Sequence, residues 1–388
     1  MTSRAAQSSS AQEAQSSSAQ EEPQYLAQSE ALSTVYDTLL LDLDGTTYVG
    51  AYAAPHAPEA LAAAKAHGVR ALYLTNNSGR SPQVVARQLV QIGIPTDPGA
   101  VINSSQVAAH EAERLLAPDA KVLLVGAEGL RAAFADSPLI VVESADDAPD
   151  AVIQGLNEQA TWAELSEAVL AIHQHGAIHI ATNMDATIPK ERGLMIGNGS
   201  FVACVQHATG SHPINCGKPE PTMYRMGAER AHAQRALAIG DRLDTDIAGA
   251  CAGGYDSLHV LTGVARARDV MLAPVGQRPR YLGIDLRDVN KPQPAVTPQY
   301  DHASGVCAWE CARARAAVFS GELRMCTEGE SVSIAVAGDA DAAEDAVRIS
   351  HDLYRAVTCA LWDAADAGRL DPATVRLPNF EVMREDSE

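Results

Sequence analysis

Residues 37–50, DTLLLDLDGTTYVG, decide the fold. A continuous apolar run stopped by a turn is the pattern of a strand buried on both faces. Such a strand normally ends in neutral turn residues. This one ends in Asp42 and Asp44, one residue apart, followed at once by Gly-Thr-Thr. Two carboxylates this close repel each other unless a cation or a reacting group lies between them. The stretch therefore predicts a buried strand with chemistry at its carboxyl end.

The segments that follow repeat the theme. APEALAAAKAHG reads as a helix closed by Gly68, VRALYLTNN as a second strand, and RSPQVVARQLVQIG as a second helix with Ser81 as its N-cap. Strands and helices alternating over short connections predict an α/β fold built on a Rossmann-like parallel sheet. The alternation resumes with the helix PTMYRMGAERAHAQ, the strand RALAIGD, the short helix TDIAGACAGG, the strand YDSLHVLTG and an edge strand in RYLGIDL. Between the halves, AKVLLVG, LIVVES, DAVIQGL, WAELSEAVLAIHQHG and AIHIATN carry an α/β pattern of their own.

The expected organisation has four parts. Residues 1–33, with the repeated AQSSSAQE, form a disordered tail, because they offer too little apolar surface to offset their ordering entropy. Residues 34–105 and 213–290 form the core, and 106–212 an inserted domain. Residues 291–388 hold a linker, NKPQPAVTPQYDHAS, and a small α+β unit. In that unit Ile349, Leu353, Val357 and Leu361 recur every four residues, one helical face, with Gly368 beyond them. The acidic GDADAAEDA reads as a helix N-terminus with favourable charges.

Composition narrows the function classes. The formal charge of -20 argues against nucleic acid or an anionic membrane as the main partner. A small phosphorylated ligand stays compatible, since a local site can be positive in an acidic protein. The seven cysteines are odd in number and lack C-x-x-C spacing, so no zinc site or disulfide framework is expected. They read as reduced, mostly buried thiols, with Cys307 and Cys311 one helical turn apart. The N-terminus is not a secretory signal, and no run of about 18 apolar residues could span a membrane. A reducing cytoplasm is the simplest expected setting, and a homo-oligomer is compatible with all of this.

In an open parallel sheet, ligands bind outside the carboxyl ends of the strands. There the sequence places Asp42 and Asp44, then Thr75, Asn76, Asn77 and Ser78, then Lys218 in CGKPEPTMY, then Asp241 with Asp244 and Asp246. Carboxylate oxygens suit Mg²⁺. An ammonium, a hydroxyl and turn amides suit a phosphoryl group. A calcium loop is excluded, because an EF-hand needs Asp or Asn at 46 and Gly at 47, where Thr46 and Thr47 stand. GNGS at 197–200 lacks the G-x-G-x-x-G form of a dinucleotide site.

Taken in order, DLDGTTYVG, LTNNSGRS, GKPEPTMY and GDRLDTDIAGA resemble the four motifs of the haloacid dehalogenase superfamily of phosphatases. The long insertion, with ATNMDAT and GLMIGNGS, resembles the subgroup with a large α/β cap. That subgroup includes 4-nitrophenylphosphatase-like, phosphoglycolate, pyridoxal phosphate and glycerol 3-phosphate phosphatases. The resemblance covers about residues 36–290. The tail of about 100 residues is similar, more distantly, to an extension of bacterial glycerol 3-phosphate phosphatases. Spacing supports the cap independently: Thr75 to Lys218 is 143 residues, where one β-α step takes on the order of 30.

The resemblance implies Mg²⁺-dependent phosphomonoester hydrolysis through an aspartyl-phosphate, with glycerol 3-phosphate or 2-phosphoglycolate the leading substrates. Asp42 is the expected nucleophile and Asp44 the general acid and base. Asp42, Asp241 and the backbone carbonyl of Asp44 are the expected metal ligands. Thr75, Asn76 with the neighbouring amides, and Lys218 are expected to hold the phosphate, and Asp246 to support Lys218 or bound waters. Thr182, Asn183 and Asp185 either face the substrate or simply form a turn. Asn157 and Met184 depart from the family pattern, which commonly has Asp and Pro there. The sequence argues against the two alternatives from other classes: a receiver-like switch would lack D-x-D-G-T and the cap, and a non-catalytic phosphate-binding protein would lack at least one of Asp42, Asp44, Lys218 and Asp241, all of which are present.

Overall fold

The computed structural model describes residues 25, 27–190, 192–301, 306–327, 330–336 and 346–384. Its central element is a six-stranded parallel sheet in the order Tyr281–Leu282, Asp256–His259, Ala236–Gly240, Thr38–Asp42, Arg70–Thr75, Val101–Asn103. The opening apolar run lies at its centre. Leu39, Leu40 and Leu41 are fully buried, with strands on both sides and helices on both faces. The helices Ala57–Ala66, Pro82–Gln91 and Thr222–Ala231 fall where the sequence placed them. Ser81 stands at the N-cap of Pro82–Gln91 but makes no capping hydrogen bond.

The inserted segment builds a second parallel sheet in the order Ile214–Asn215, Ile178–Ala181, Ala151–Gln154, Lys121–Val125, Ile140–Val142. An antiparallel hairpin, Thr187–Lys190 with Gly193–Ile196, leaves it. Its first helix, Ser104–Leu115, begins two residues before the expected boundary, because Asn103 and Gln106 close a capping box there. The sheet also takes in Ile214–Asn215, beyond the expected end at 212. The two layers share one apolar cluster, which includes Leu40, Leu74 and Ile102 of the first sheet, Val107, Ala108 and Ala112 of the helix Ser104–Leu115, and Val122, Ile153 and Ile180 of the second sheet.

The C-terminal part departs from the sequence reading. The stretch read as a linker carries the strand Val296–Asp301, which opens a five-stranded antiparallel meander running to Glu330–Ala335. Pro298 is tolerated because the strand is at the sheet edge, where a missing N–H costs no ladder bond. Cys307 and Cys311 lie on the strand Val306–Cys311, not on a helix. Only Cys216, Cys311 and Cys359 are fully buried, and Cys204 is exposed. The helix His351–Asp366 starts after Ile349, which sits on the strand Val347–Ser350. Ser350 caps the helix by accepting the Leu353 N–H at 3.1 Å.

This helix packs between the meander and the first sheet's flank. Trp362 Nε1 donates to the Val270 carbonyl at 2.9 Å. Arg278 makes a two-pronged pair with Asp366 at 2.6 and 2.7 Å, and Arg384 another with Asp288 at 2.8 Å for both contacts. Most of the expected tail, and the GDADAAEDA stretch except its last residue, Ala346, lie outside the described residues. Of the tail's last part, Gln28 bridges to Gln293 and Leu32 is fully buried. No described helix is long and apolar enough to cross a membrane.

Candidate active site

Strand order in the first sheet reverses between Thr38–Asp42 and Ala236–Gly240. Asp42 ends one of these strands and Asp241 follows the other, so both stand at the crevice where such sheets bind ligands. Lys218 reaches the same point from the turn before Thr222–Ala231. Its ammonium donates to Asp42 Oδ1, to Asp246 Oδ1 at 2.7 Å and to the Leu74 carbonyl at 3.3 Å. The Lys218 and Asp246 side chains are each 3% exposed.

Burial sets the electrostatics. It pushes Asp42 well above the usual carboxylate range, with the Asp246 charge adding and Lys218 opposing. Asp241 is pushed up to about 6, by burial first and Asp246 second. Burial would lower Lys218, but the charges of Asp246 and Asp42 overcome it and hold the ammonium well above its ordinary value. Asp44 is the most accessible of these carboxylates. Desolvation by its surroundings still raises it, against the Tyr48 hydroxyl and the nearby Arg80, Lys218 and Lys190.

Asp42, Asp241 and Asp246 place one carboxylate oxygen each within 4.8 Å of one another. Three carboxylates face one ammonium, a deficit of two positive charges. Burial raises Asp42 and Asp241 first, and the neighbouring Asp246 charge adds to it. Hard oxygen donors with this charge fit a divalent cation such as Mg²⁺. The cluster includes the Asp246 carboxylate, which the sequence reading assigned to Lys218 or bound waters and not to the metal directly. The Asp44 carboxylate lies outside it, accepting from Tyr48 Oη at 3.0 Å.

Two donors from outside the charged set fix Asp241. Thr46 Oγ1 donates to its Oδ1 at 3.0 Å and the Val264 N–H to its Oδ2 at 2.7 Å. Gly45, at φ +90°, lies so close that a Cβ there would sit 2.5 Å from Asp241 Oδ2. Thr46 and Tyr48 were visible in the opening stretch as hydroxyls beside the carboxylates. Val264 acts through its backbone and left no signal in its side chain.

Asn76 is a junction. Its Oδ1 accepts the Lys218 N–H at 2.8 Å. Its Nδ2 donates to the Lys218 carbonyl at 3.2 Å and to the two Asp185 oxygens at 3.3 and 3.2 Å. Its own carbonyl accepts Asn183 Nδ2 at 2.7 Å. The Asn76 side chain is thus spent on positioning Lys218 and Asp185, so a phosphate contact from this residue falls to its backbone amide. Asn183 and Asp185 are brought to the site as the bridge between the two sheets. The Thr75 hydroxyl accepts the Asn77 N–H at 3.1 Å and keeps its own proton to donate.

This set of groups at a sheet reversal, under an inserted α/β layer, defines a class. Residues 39–139 match the haloacid dehalogenase-like hydrolase family, and 215–289 a HAD-hydrolase-like model. The chain belongs to the haloacid dehalogenase-like hydrolase family. It is 39% identical over 340 residues to D-glycerol 3-phosphate phosphatase of Mycobacterium tuberculosis, covering 87% of this chain and 89% of that protein. It is 36% identical over 255 residues to acid sugar phosphatase of Staphylococcus aureus, covering 65% of this chain and 96% of that one. Among solved structures, glycerol phosphate phosphatase of M. tuberculosis in complex with magnesium superposes with a TM-score of 0.74 at 35% identity, covering 92% and 96%.

Proposed function

We propose that this protein is a Mg²⁺-dependent phosphatase that hydrolyses a small phosphomonoester, glycerol 3-phosphate in the first place, through an aspartyl-phosphate on Asp42. The observation that carries the reading is Lys218 bridging Asp42 and Asp246 beside Asp241 at the sheet reversal. The relative named D-glycerol 3-phosphate phosphatase supports the substrate. Its match of 340 residues is longer than core and cap together, so it takes in C-terminal sequence as well.

Asp42 attacks phosphorus, and the bond from phosphorus to the ester oxygen breaks. The leaving alkoxide takes the proton of Asp44, whose raised pKa favours carrying one. Asp44 then removes a proton from water, which attacks phosphorus and returns Asp42 with release of phosphate. Lys218 neutralises charge on Asp42 and on the phosphoryl oxygens, and Asp246 keeps the ammonium in place. Thr75 offers its hydroxyl proton to the phosphoryl group. Mg²⁺, held by Asp42 and Asp241 with Asp246 in reach, would supply further charge stabilisation. Asn76, Asn183 and Asp185 hold the cap over the site, which restricts it to small esters.

The test is phosphate release from a panel including glycerol 3-phosphate, 2-phosphoglycolate and sugar phosphates, with and without Mg²⁺. Preferred turnover of glycerol 3-phosphate, dependent on Mg²⁺ and abolished by Asp42→Asn, is the expected result. Release unaffected by Asp42→Asn overturns the mechanism. Preference for another ester overturns only the substrate.

A further inference from the structure

A cavity of about 590 Å³ opens at the amino-terminal edge of the six-stranded sheet, the end opposite Asp42. Its size lies within the range of small-molecule sites, roughly 300–1,000 Å³. Leu61, Tyr73 and Ile94 contribute an apolar wall. Lys65, Arg70 and Arg230 line it as well.

The two arginines are anchored by main-chain carbonyls. Arg70 Nη1 donates to Ala231, and Arg230 Nη1 to Gly99 at 3.3 Å and Val101 at 3.2 Å. These bonds orient the guanidinium groups and leave most of their five N–H donors unspent. Among the described residues, the ion pairs include none of these three cations. The one acidic residue of the wall, Asp97, spends an oxygen on the Gly99 N–H at 2.7 Å. Asp37 acts on Arg70 from outside the cavity. Three cations against one acid reverse, at this spot, the sign of a chain that carries -20 overall. Partial burial also lowers the pKa of Arg230, as expected for a guanidinium with no counter-charge.

We propose that this cavity is a second ligand site, which takes a small organic anion with a carboxylate or phosphate head and an unbranched apolar body. The head meets Arg70, Arg230 and Lys65, and the body lies on Leu61, Tyr73 and Ile94. Both arginines would be explained without a ligand if they only staple the end of Thr222–Ala231 to the sheet. The experiment separates the two readings, and it rests on no part of the phosphatase assignment.

Octanoate, which carries no phosphoester, is titrated calorimetrically into the full-length protein. The expected result is saturable one-to-one binding, weakened about tenfold or more by Arg230→Gln, since a charge-assisted contact is lost. Lys65→Gln, at an exposed position without a hydrogen bond to lose, is expected to weaken it several-fold and keeps the test decisive if Arg230→Gln does not fold. Octanamide, with the same body and no charge, binds more weakly. Asp42→Asn leaves octanoate affinity unchanged. No saturable binding, equal affinity in Lys65→Gln and Arg230→Gln as in wild type, or loss of binding in Asp42→Asn would each overturn the proposal.

Discussion

Replacing Lys218 with Met removes the ammonium that holds Asp42 and Asp246 together. Methionine keeps much of the side-chain length, so the change is mainly one of charge. Breaking one side of a buried ion pair costs about 3–5 kcal/mol, because the remaining charge is left uncompensated. Here three carboxylate oxygens within 4.8 Å are left facing one another. A proton can replace the lost ammonium, so the penalty depends on pH. In wild type, burial already raises Asp42 and Asp241 above the unfolded value of an aspartate. Between the two values the folded chain binds more protons, and stability from these groups falls as pH rises. Without Lys218 both values climb further, and the fall extends to higher pH. Urea unfolding without divalent cation, at about pH 5 and about pH 7.5, reads this directly. The variant is expected to lose about 3–5 kcal/mol at the higher pH and clearly less at the lower. Saturating Mg²⁺ should recover part of the loss, and kcat should fall by about a hundredfold or more. An equal loss at both pH values, or none, would refute the charge argument.

Gly45→Ala puts a methyl group against the Asp241 carboxylate at a left-handed backbone position. It should weaken Mg²⁺ binding in calorimetry while circular dichroism stays native. His351 is buried, donates Nε2–H to the Leu282 carbonyl at 2.7 Å and has its pKa pushed down to about 4. The unfolded chain then binds the extra proton between about pH 6.5 and 4, and acid costs about 3 kcal/mol through this group. Acid unfolding of His351→Gln should show a shallower limb by about one proton. Arg384→Ala leaves Asp288, 1% exposed at its side chain, without its two-pronged partner. A thermal melt should show a loss of about 3–5 kcal/mol, and a chain ending near residue 290 should lose solubility, because the cluster around Val270, Met271 and Trp362 is opened.

Legibility followed the physics of each signal. The strand Thr38–Asp42 was visible because burial on both faces demands an uninterrupted apolar run, and its two carboxylates could not be explained as turn residues. The inserted layer was visible because it repeats the same βα periods between two halves of another sheet. The C-terminal meander was hidden. Its first strand is an edge, where Pro298 and polar residues are tolerated, and its Ala- and Arg-rich partners imitate a helical composition. Asp42, Lys218 and Asp241 could be placed together from strand ends alone. The positioning role of Asn76 could not, since it rests on side-chain geometry across 142 residues of chain. The receiver-like alternative falls with the family assignment, while the loss of catalysis in a binding protein would have to show in residues that are all present here.

The central claim is that phosphate passes through Asp42. The direct measurement is acid-quenched mass spectrometry of Asp44→Asn after exposure to 4-nitrophenyl phosphate and Mg²⁺, because a nitrophenolate leaves without the proton that Asp44 gives to an alkoxide. Asp44 activates the water of the second step, so the variant should accumulate phosphate on the peptide containing Asp42, labile to hydroxylamine. The Asp42→Asn, Asp44→Asn double variant should carry none. A phosphate found on another residue, or retained in the double variant, would contradict the account.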